Sequence, residues 1–134
     1  MQLTIDLDSE VPIYQQIRDR VVEAVAVGNL VEGASLPSTR QLAADLLINF
    51  HTVNKAYDLL RQEGVIRVNR KSGAVVRRDG RSGPPEASVA EEWQRRLRTL
   101  LAEGVVHGLT SADVLERSTE VLADFDNRRE DPTT

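Results

Sequence analysis

The sequence predicts a mostly α-helical fold with a small β wing, followed by two further helices. Apolar residues recur at helical spacing in five segments, whereas two short segments alternate as strands do. The 134 residues are 40% hydrophobic and 28% charged, which is typical of one globular domain with an appendage. We expect a main domain over residues 1–80, a linker over 81–87, a helical segment over 88–127 and a disordered tail over 128–134.

The composition limits both chemistry and location. With no cysteine, disulfides and thiolate metal sites are excluded. Only two histidines, His51 and His107, are present, with no glycine-rich phosphate loop and no interpretable carboxylate pair, so we expect no enzyme, metal or cofactor. No apolar run approaches the ~20 residues that span a bilayer, and no secretion signal opens the chain. We therefore expect a cytoplasmic protein.

The first predicted elements lead into a helix. Residues 3–7 alternate between apolar and polar, which suits a small strand or an extended arm. Pro12 fits the first turn of a helix, where its missing N–H costs nothing. The apolar face of that helix runs from Ile13 to Val25, and Gly28 ends it.

Two short helices follow, separated by a tight turn. Ser38 with Gln41 three residues later predicts a capping box at the start of the second helix. We expect this helix to continue to about Leu47, with four residues facing inward: Leu42, Ala43, Leu46 and Leu47. Asn49 is a suitable cap for the third helix, which Gly64 ends. This arrangement predicts a helix-turn-helix.

A basic hairpin is predicted directly after the third helix. Residues 65–68 alternate as a strand, residues 69–73 turn the chain, and residues 74–76 return. The whole chain carries a net charge of −4, but residues 38–78 contain eight basic and three acidic residues. A basic segment within an acidic chain indicates that one face meets phosphate. Together these features predict a winged helix-turn-helix that binds duplex DNA.

In this fold the third helix enters the major groove and the wing reaches a neighbouring groove. Apolar residues Val53, Ala56, Tyr57 and Leu60 should be core, which leaves the other side of the helix for DNA. The candidate DNA-contacting residues are Ser38, Thr39, Arg40, Asn49, Phe50, His51, Thr52, Asn54, Lys55, Arg67, Arg70, Lys71 and Gly73. Asn54 suits adenine, and Lys55 and Arg40 suit phosphate. Alternatively, Ser38 and Asn49 are only helix caps, and the charged residues are ordinary surface.

The last two predicted helices are amphipathic and too short to enclose a metabolite pocket. Their apolar stripes cannot be hidden by one helix alone, so a symmetric homodimer is the simplest way to cover them. The candidate interface residues are Trp93, Leu97, Leu100, Leu101, Val105, Val114, Leu115 and Leu122. Alternatively, these helices fold back on their own winged domain.

Several motifs closely resemble the GntR family of bacterial regulators. They are Val-Pro-Ile-Tyr-Gln-Gln-Ile at 11–17, Leu-Pro-Ser-Thr-Arg-Gln-Leu-Ala at 36–43 and Thr-Val-Asn-Lys-Ala-Tyr at 52–57. The last motif and the short tail resemble the YtrA-like subfamily. The resemblance implies DNA contacts from Arg40, from residues 49–54 and from the wing near Arg70 and Lys71.

The chain departs from the family pattern at two positions. Lys71 stands where the wing usually has glycine, so the shape of the tip can differ. Phe50 stands where relatives often have arginine or proline, which removes a charged reader. Phe50 could instead contact a thymine methyl group.

The sequence thus predicts a transcriptional regulator that binds an inverted-repeat operator as a homodimer. We expect it to be a repressor, and the resemblance implies control of a transporter operon. A small-molecule effector is left open and unidentified. The alternative is a winged helix that docks onto protein and does not bind DNA specifically.

Overall fold

The structure is a computed structural model that describes residues 1–69 and 73–130. It contains two compact units, Met1–Ser82 and Gly83–Thr134. The elements in chain order are α1 (Ile13–Ala26), α2 (Thr39–Leu46), α3 (Phe50–Gln62), β1 (Ile66–Asn69), β2 (Gly73–Val76), α4 (Ala87–Val106) and α5 (Ser111–Glu130). The predicted fold, mostly helical with a small β wing, is confirmed. No helix in the described ranges is long and apolar enough to cross a bilayer.

The core of the first unit forms where α3 packs against both α1 and α2. Its most deeply buried residues are Ile17, Val21, Leu42, Val53, Ala56, Leu60, Ile66 and Val76. On α1 and α3 these buried residues recur with the period of an α-helix, which is why the spacing of apolar residues in the sequence predicted both helices. At the edge of the core, the Arg18 guanidinium donates to both carboxylate oxygens of Glu63 and so joins α1 to the end of α3.

The first twelve residues form neither a helix nor a strand, so of the two forms expected for residues 3–7 the extended arm is present and the strand is not. This segment is an arm whose Leu3 and Ile5 pack against the core. The buried Gln16 side chain holds it. Its Oε1 accepts from the Asp6 N–H at 2.8 Å, and its Nε2 donates to the Asp6 and Val11 carbonyls. These hydrogen bonds satisfy the backbone N–H and C=O of Asp6 and the C=O of Val11, which in a β-sheet would bond to a neighbouring strand.

The starts of α1 and α2 differ in detail from the prediction. Pro12 precedes α1 as its N-cap, and its carbonyl accepts from the Gln16 N–H. Ser38 caps α2 as predicted, with Oγ accepting from the Gln41 N–H at 3.1 Å. The reciprocal half of the capping box does not form, because the Gln41 amide donates to Asp45 one turn further along.

Leu47 is the largest departure from the predicted core. We expected it to face inward, but α2 ends at Leu46 and Leu47 is 92% exposed. Its φ of 56° lies in the left-handed region, where it is the one non-glycine residue among those described. This conformation turns the chain sharply toward α3, so that Ile48 packs against the core and the Leu47 side chain points away.

The wing is an antiparallel hairpin in which Ile66 faces Val76 and Asn69 faces Gly73. It is extended by a third segment that the sequence did not reveal. Ser35 forms a bridge with Val75, supported by backbone bonds from Leu36 to Ala74 and between residues 33–34 and Val76. The segment before α2 is therefore tied to the wing.

The second unit consists of α4 and α5, with no buried residue in either helix. Where they join, a Cβ added at Gly104 would lie within 4 Å of the Leu109 and Val114 side chains. Thr110 and Asp113 form a complete capping box ahead of α5, and the backbone bond from Thr110 lowers the pKa of Asp113. The helix continues to Glu130, whereas we expected the chain to be disordered from residue 128 onward.

The extra turn at the end of α5 is stabilised by ion pairs of Arg128 with Asp124 and of Arg129 with Asp126. Cations in a last helical turn also interact favourably with the helix dipole. The expected tail over residues 131–134 lies outside the described residues.

Replacing Leu47 with glycine should stabilise the protein. The left-handed conformation costs a side-chain-bearing residue about 1–2 kcal/mol, and glycine's greater unfolded-state entropy offsets part of that gain. We expect the free energy of unfolding of Leu47→Gly to rise by about 0.5–1 kcal/mol, measured by urea denaturation.

Leu47→Ala is the matched control, because alanine also loses the exposed side chain but keeps a Cβ. It should change the free energy of unfolding by less than about 0.5 kcal/mol. Equal stabilisation by alanine and glycine would show that side-chain exposure, not backbone conformation, is what matters at this position.

Candidate nucleic-acid interface

One side of α3 is buried and the other carries polar residues at the surface. Val53, Ala56, Tyr57 and Leu60 are buried. His51, Lys55 and Asp58 are exposed, and Thr52 and Asn54 are half-buried. The predicted separation into a core side and a polar side is therefore present in the structure.

The starts of α2 and α3 are both capped by a polar side chain. The Asn49 side-chain oxygen accepts from the His51 N–H at 2.8 Å, as Ser38 does for Gln41. These bonds give Ser38 and Asn49 structural roles whether or not DNA is bound. Thr39 is half-buried at the first position of α2, and the remaining unbonded N–H groups of such helix starts are suited to phosphate oxygens.

Tyr57 fixes α3 to the segment ahead of α2. Its hydroxyl donates to the Pro37 carbonyl at 2.7 Å, and burial raises the pKa of Tyr57. We predicted this residue to be packing only, so the hydrogen bond is a further finding. It sets the position of the α2 start relative to α3, because Pro37 directly precedes the Ser38 cap.

Lys55 lies toward α1 on the polar side of α3. Its ammonium is 4.0 Å from the centroid of the Tyr14 ring, which is a cation–π distance. We expected Lys55 to reach phosphate, and in this structure its charge lies over an aromatic ring. Tyr14 was not among the predicted site residues, and no spacing in the sequence links it to a residue forty positions later.

Arg40, Phe50 and His51 form a cation–aromatic cluster at the starts of α2 and α3. The Arg40 guanidinium carbon is 5.0 Å from the Phe50 ring centroid, and the Phe50 and His51 rings are 4.5 Å apart at 43°. Phe50 is half-buried and packs partly against the core, so it is less available on the outer face than we expected. Arg40 itself is exposed.

Of the predicted DNA-contacting residues that the structure describes, fewer lie on the wing than on the helices. Arg67 is exposed on β1, and Gly73 begins β2 with a φ of 72°, a conformation that favours glycine. Arg70 and Lys71, which we predicted as DNA contacts, lie outside the described residues. Within the described ranges, no group of three or more His, Asp or Glu residues is arranged to hold a metal ion.

The second unit presents its apolar residues at the surface. On α4, Trp93, Leu100 and Val105 are 56%, 62% and 69% exposed, and a shallow groove runs beside Leu97 and Leu101. On α5, Leu115 and Leu122 are exposed and Val114 is half-buried. All eight predicted interface residues thus retain surface that this unit does not cover by itself.

Comparison with known proteins places this geometry in one family. The bacterial regulatory proteins of the gntR family match residues 13–76, which contain α1, α2, α3 and the wing. The HTH-type transcriptional repressor YtrA of Bacillus subtilis is 30% identical over 122 residues, covering 91% of this chain and 93% of that protein.

Two solved structures extend the likeness to the fold. YtrA of Sulfolobus acidocaldarius, a GntR-family transcription factor, is 38% identical with a TM-score of 0.62, covering 78% of this chain and 97% of that one. A Listeria monocytogenes protein described as a transcriptional antiterminator is 27% identical with a TM-score of 0.79. That match covers 93% of this chain and 92% of the other.

Tyr57→Phe should lower the free energy of unfolding at neutral pH by about 1 kcal/mol, because the Pro37 carbonyl loses its donor. Tyr14→Phe is the matched control, since the Tyr14 hydroxyl makes no hydrogen bond within the described residues. Both can be measured by urea denaturation. Equal losses in the two variants would contradict a specific role for the Tyr57 hydroxyl.

The same hydroxyl should make stability fall in alkali. The unfolded tyrosine loses its proton near its ordinary pKa of 10, whereas the buried hydroxyl in the folded protein keeps it. The unfolded state then binds fewer protons, so stability is full below pH 10 and declines as pH rises above it. Tyr57→Phe should show a shallower decline over that range.

Proposed function

The chain belongs to the GntR family of bacterial regulatory proteins and is a transcriptional regulator with a DNA-binding domain. We propose that it represses transcription by binding an inverted-repeat operator as a homodimer. The polar side of α3 supports the proposal, because its residues keep exposed or half-exposed surface while those of the opposite side are buried. A helix so placed fits the major groove of B-DNA, which is about 12 Å wide.

Asn54 is the residue we propose for direct base reading. An asparagine amide can pair with both N6 and N7 of adenine, and Asn54 keeps part of its surface exposed on the polar side of α3. Arg40 and the exposed Arg67 are proposed to contact phosphate, together with the N–H groups at the starts of α2 and α3. Arg70 and Lys71 of the wing are proposed to do the same.

The exposed apolar residues of α4 and α5 support the homodimer. Large contiguous apolar surfaces on a soluble unit commonly mark an interface, and an identical stripe on a second chain is complementary by symmetry. We propose that the eight residues named above pack against their counterparts in the partner. The dimer would hold two α3 helices about one turn of DNA, ~34 Å, apart, so that they read two half-sites.

Repression would follow from occupancy of a promoter by this dimer. The Bacillus subtilis relative is named a transcriptional repressor. Control of a transporter operon is proposed only on the resemblance of the sequence motifs to the YtrA-like subfamily. An effector would act by changing the angle between the two winged units. Gly83, the first residue of the segment ahead of α4, has a φ of 99°, which suits a chain that bends there.

Asn54→Ala should weaken operator binding by about 1–3 kcal/mol and relax the base preference at one position in each half-site. The operator is first recovered by footprinting the promoter of the chain's own operon, and affinity is then measured by fluorescence anisotropy. Asn127→Ala, an exposed asparagine on α5, is the matched control and should bind like the unaltered protein.

Two outcomes of this experiment would count against DNA reading. If the unaltered protein bound specific and random duplexes equally, the protein-docking alternative would be favoured. If binding did not weaken between 50 and 200 mM salt, phosphate contacts could not supply the affinity, because counterion release makes such binding strongly dependent on salt.

Leu100→Asp combined with Leu122→Asp should convert the protein to a monomer and greatly weaken operator binding, because buried unpaired charges are costly at an interface. Light scattering coupled to size exclusion measures the mass directly. Thr99→Asp places the same charge elsewhere on α4 and should remain a dimer. A monomeric unaltered protein would contradict the proposed dimer.

A further inference from the structure

The cation–aromatic cluster at the starts of α2 and α3 brings the Arg40 cation to the edge of the polar side of α3. Arg40 is the second residue of α2 and Phe50 the first of α3, and the guanidinium lies 5.0 Å from the ring centroid. Across the described ranges 1–69 and 73–130, no carboxylate lies within ion-pair distance of Arg40. Its described neighbour is therefore a ring and not an acid.

We propose that Phe50 is a positioning residue that holds the Arg40 guanidinium ready for the DNA backbone. This inference rests on the proposed DNA-binding role of the same surface. Phe50, the first residue of α3, places its ring against the Arg40 guanidinium and so orients it.

The chemistry of the guanidinium makes this arrangement productive. An arginine stacks on an aromatic ring through its flat face, whereas its N–H donors point outward in the plane of the group. A guanidinium that contacts the Phe50 ring through its flat face keeps these donors available for a phosphate oxygen. A carboxylate partner would occupy those same donors and would have to be displaced before DNA could bind.

Preorganisation is the source of the expected gain in affinity. A long, flexible arginine loses rotamer freedom when it binds a phosphate, and a side chain already held in place loses less. An exposed cation–π contact changes an equilibrium constant by about two- to fivefold. Removing the Phe50 ring should therefore weaken DNA binding about two- to fivefold for each half-site.

The surroundings of Phe50 explain why the ring can act as a rigid support. Part of the ring packs against the core, and the His51 ring lies 4.5 Å away from it. Each contact limits how far the ring can turn. The other role that we considered for Phe50, direct contact with a thymine methyl group, does not require Arg40 and so can be separated by experiment.

A double-mutant cycle tests the coupling. The full-length unaltered protein, Phe50→Leu, Arg40→Ala and the double variant are titrated with a duplex selected from a random-sequence library. Phe50→Leu should weaken binding two- to fivefold per half-site in the presence of Arg40, and the loss should nearly vanish when Arg40 is already alanine. Phe50→Tyr keeps an aromatic face and should restore the affinity.

Additive losses in the cycle would overturn the inference and favour the methyl contact. Full affinity of Arg40→Ala for the selected duplex would overturn it too, while leaving specific DNA binding intact. Failure of the unaltered protein to select any duplex would overturn the proposed function, and the inference with it. These outcomes are distinguishable within one set of titrations.

A measurement on the free protein covers the case in which Phe50→Leu does not fold. Protons of a side chain stacked over a ring resonate upfield, so the Arg40 Hδ and Hε signals of the unaltered protein should be shifted in its NMR spectrum. Phe50→Tyr should preserve that shift. Arg40 signals at ordinary arginine positions in the unaltered protein would overturn the inference without any variant.

Discussion

The burial of one side of α3 by Val53, Ala56 and Leu60 is the packing interaction on which the rest of the N-terminal unit depends. These residues lie against α1 and α2 at once, so they fix both helices relative to the third. Side chains on the remaining half of α3 are left at the surface by the geometry of the helix itself. The same packing that supplies stability therefore also determines which residues face outward.

Several polar contacts refine this arrangement at its edges. Tyr57 holds the segment before α2, Arg18 holds the end of α3, and the bridge between Ser35 and Val75 ties that segment to the wing. Because interiors are close-packed, small shifts at one of these points would be transmitted to the others. The starts of α2 and α3 are consequently held at fixed positions relative to the hairpin. A surface that contacts DNA with all three elements requires such fixed positions.

Local signals in the sequence were sufficient for much of this fold. Ser38, Asn49 and Gly28 act on backbone groups within a few residues of themselves, and the helical period identified the buried residues of α3. Leu47 was misassigned because its apolar side chain suited the period, whereas the turn required a left-handed residue. The contacts between Arg40 and Phe50, Lys55 and Tyr14, and Tyr57 and Pro37 join separate segments, and no local pattern encodes them.

The central claim is that two copies of α3 present their polar sides to the major groove. Substitution of operator purines by their 7-deaza analogues tests it most directly, because N7 is an acceptor exposed in that groove. Our account predicts interference in two symmetry-related patches about 34 Å, one helical turn, apart. Interference in a single patch, or a bound complex unaffected by every such substitution, would contradict it.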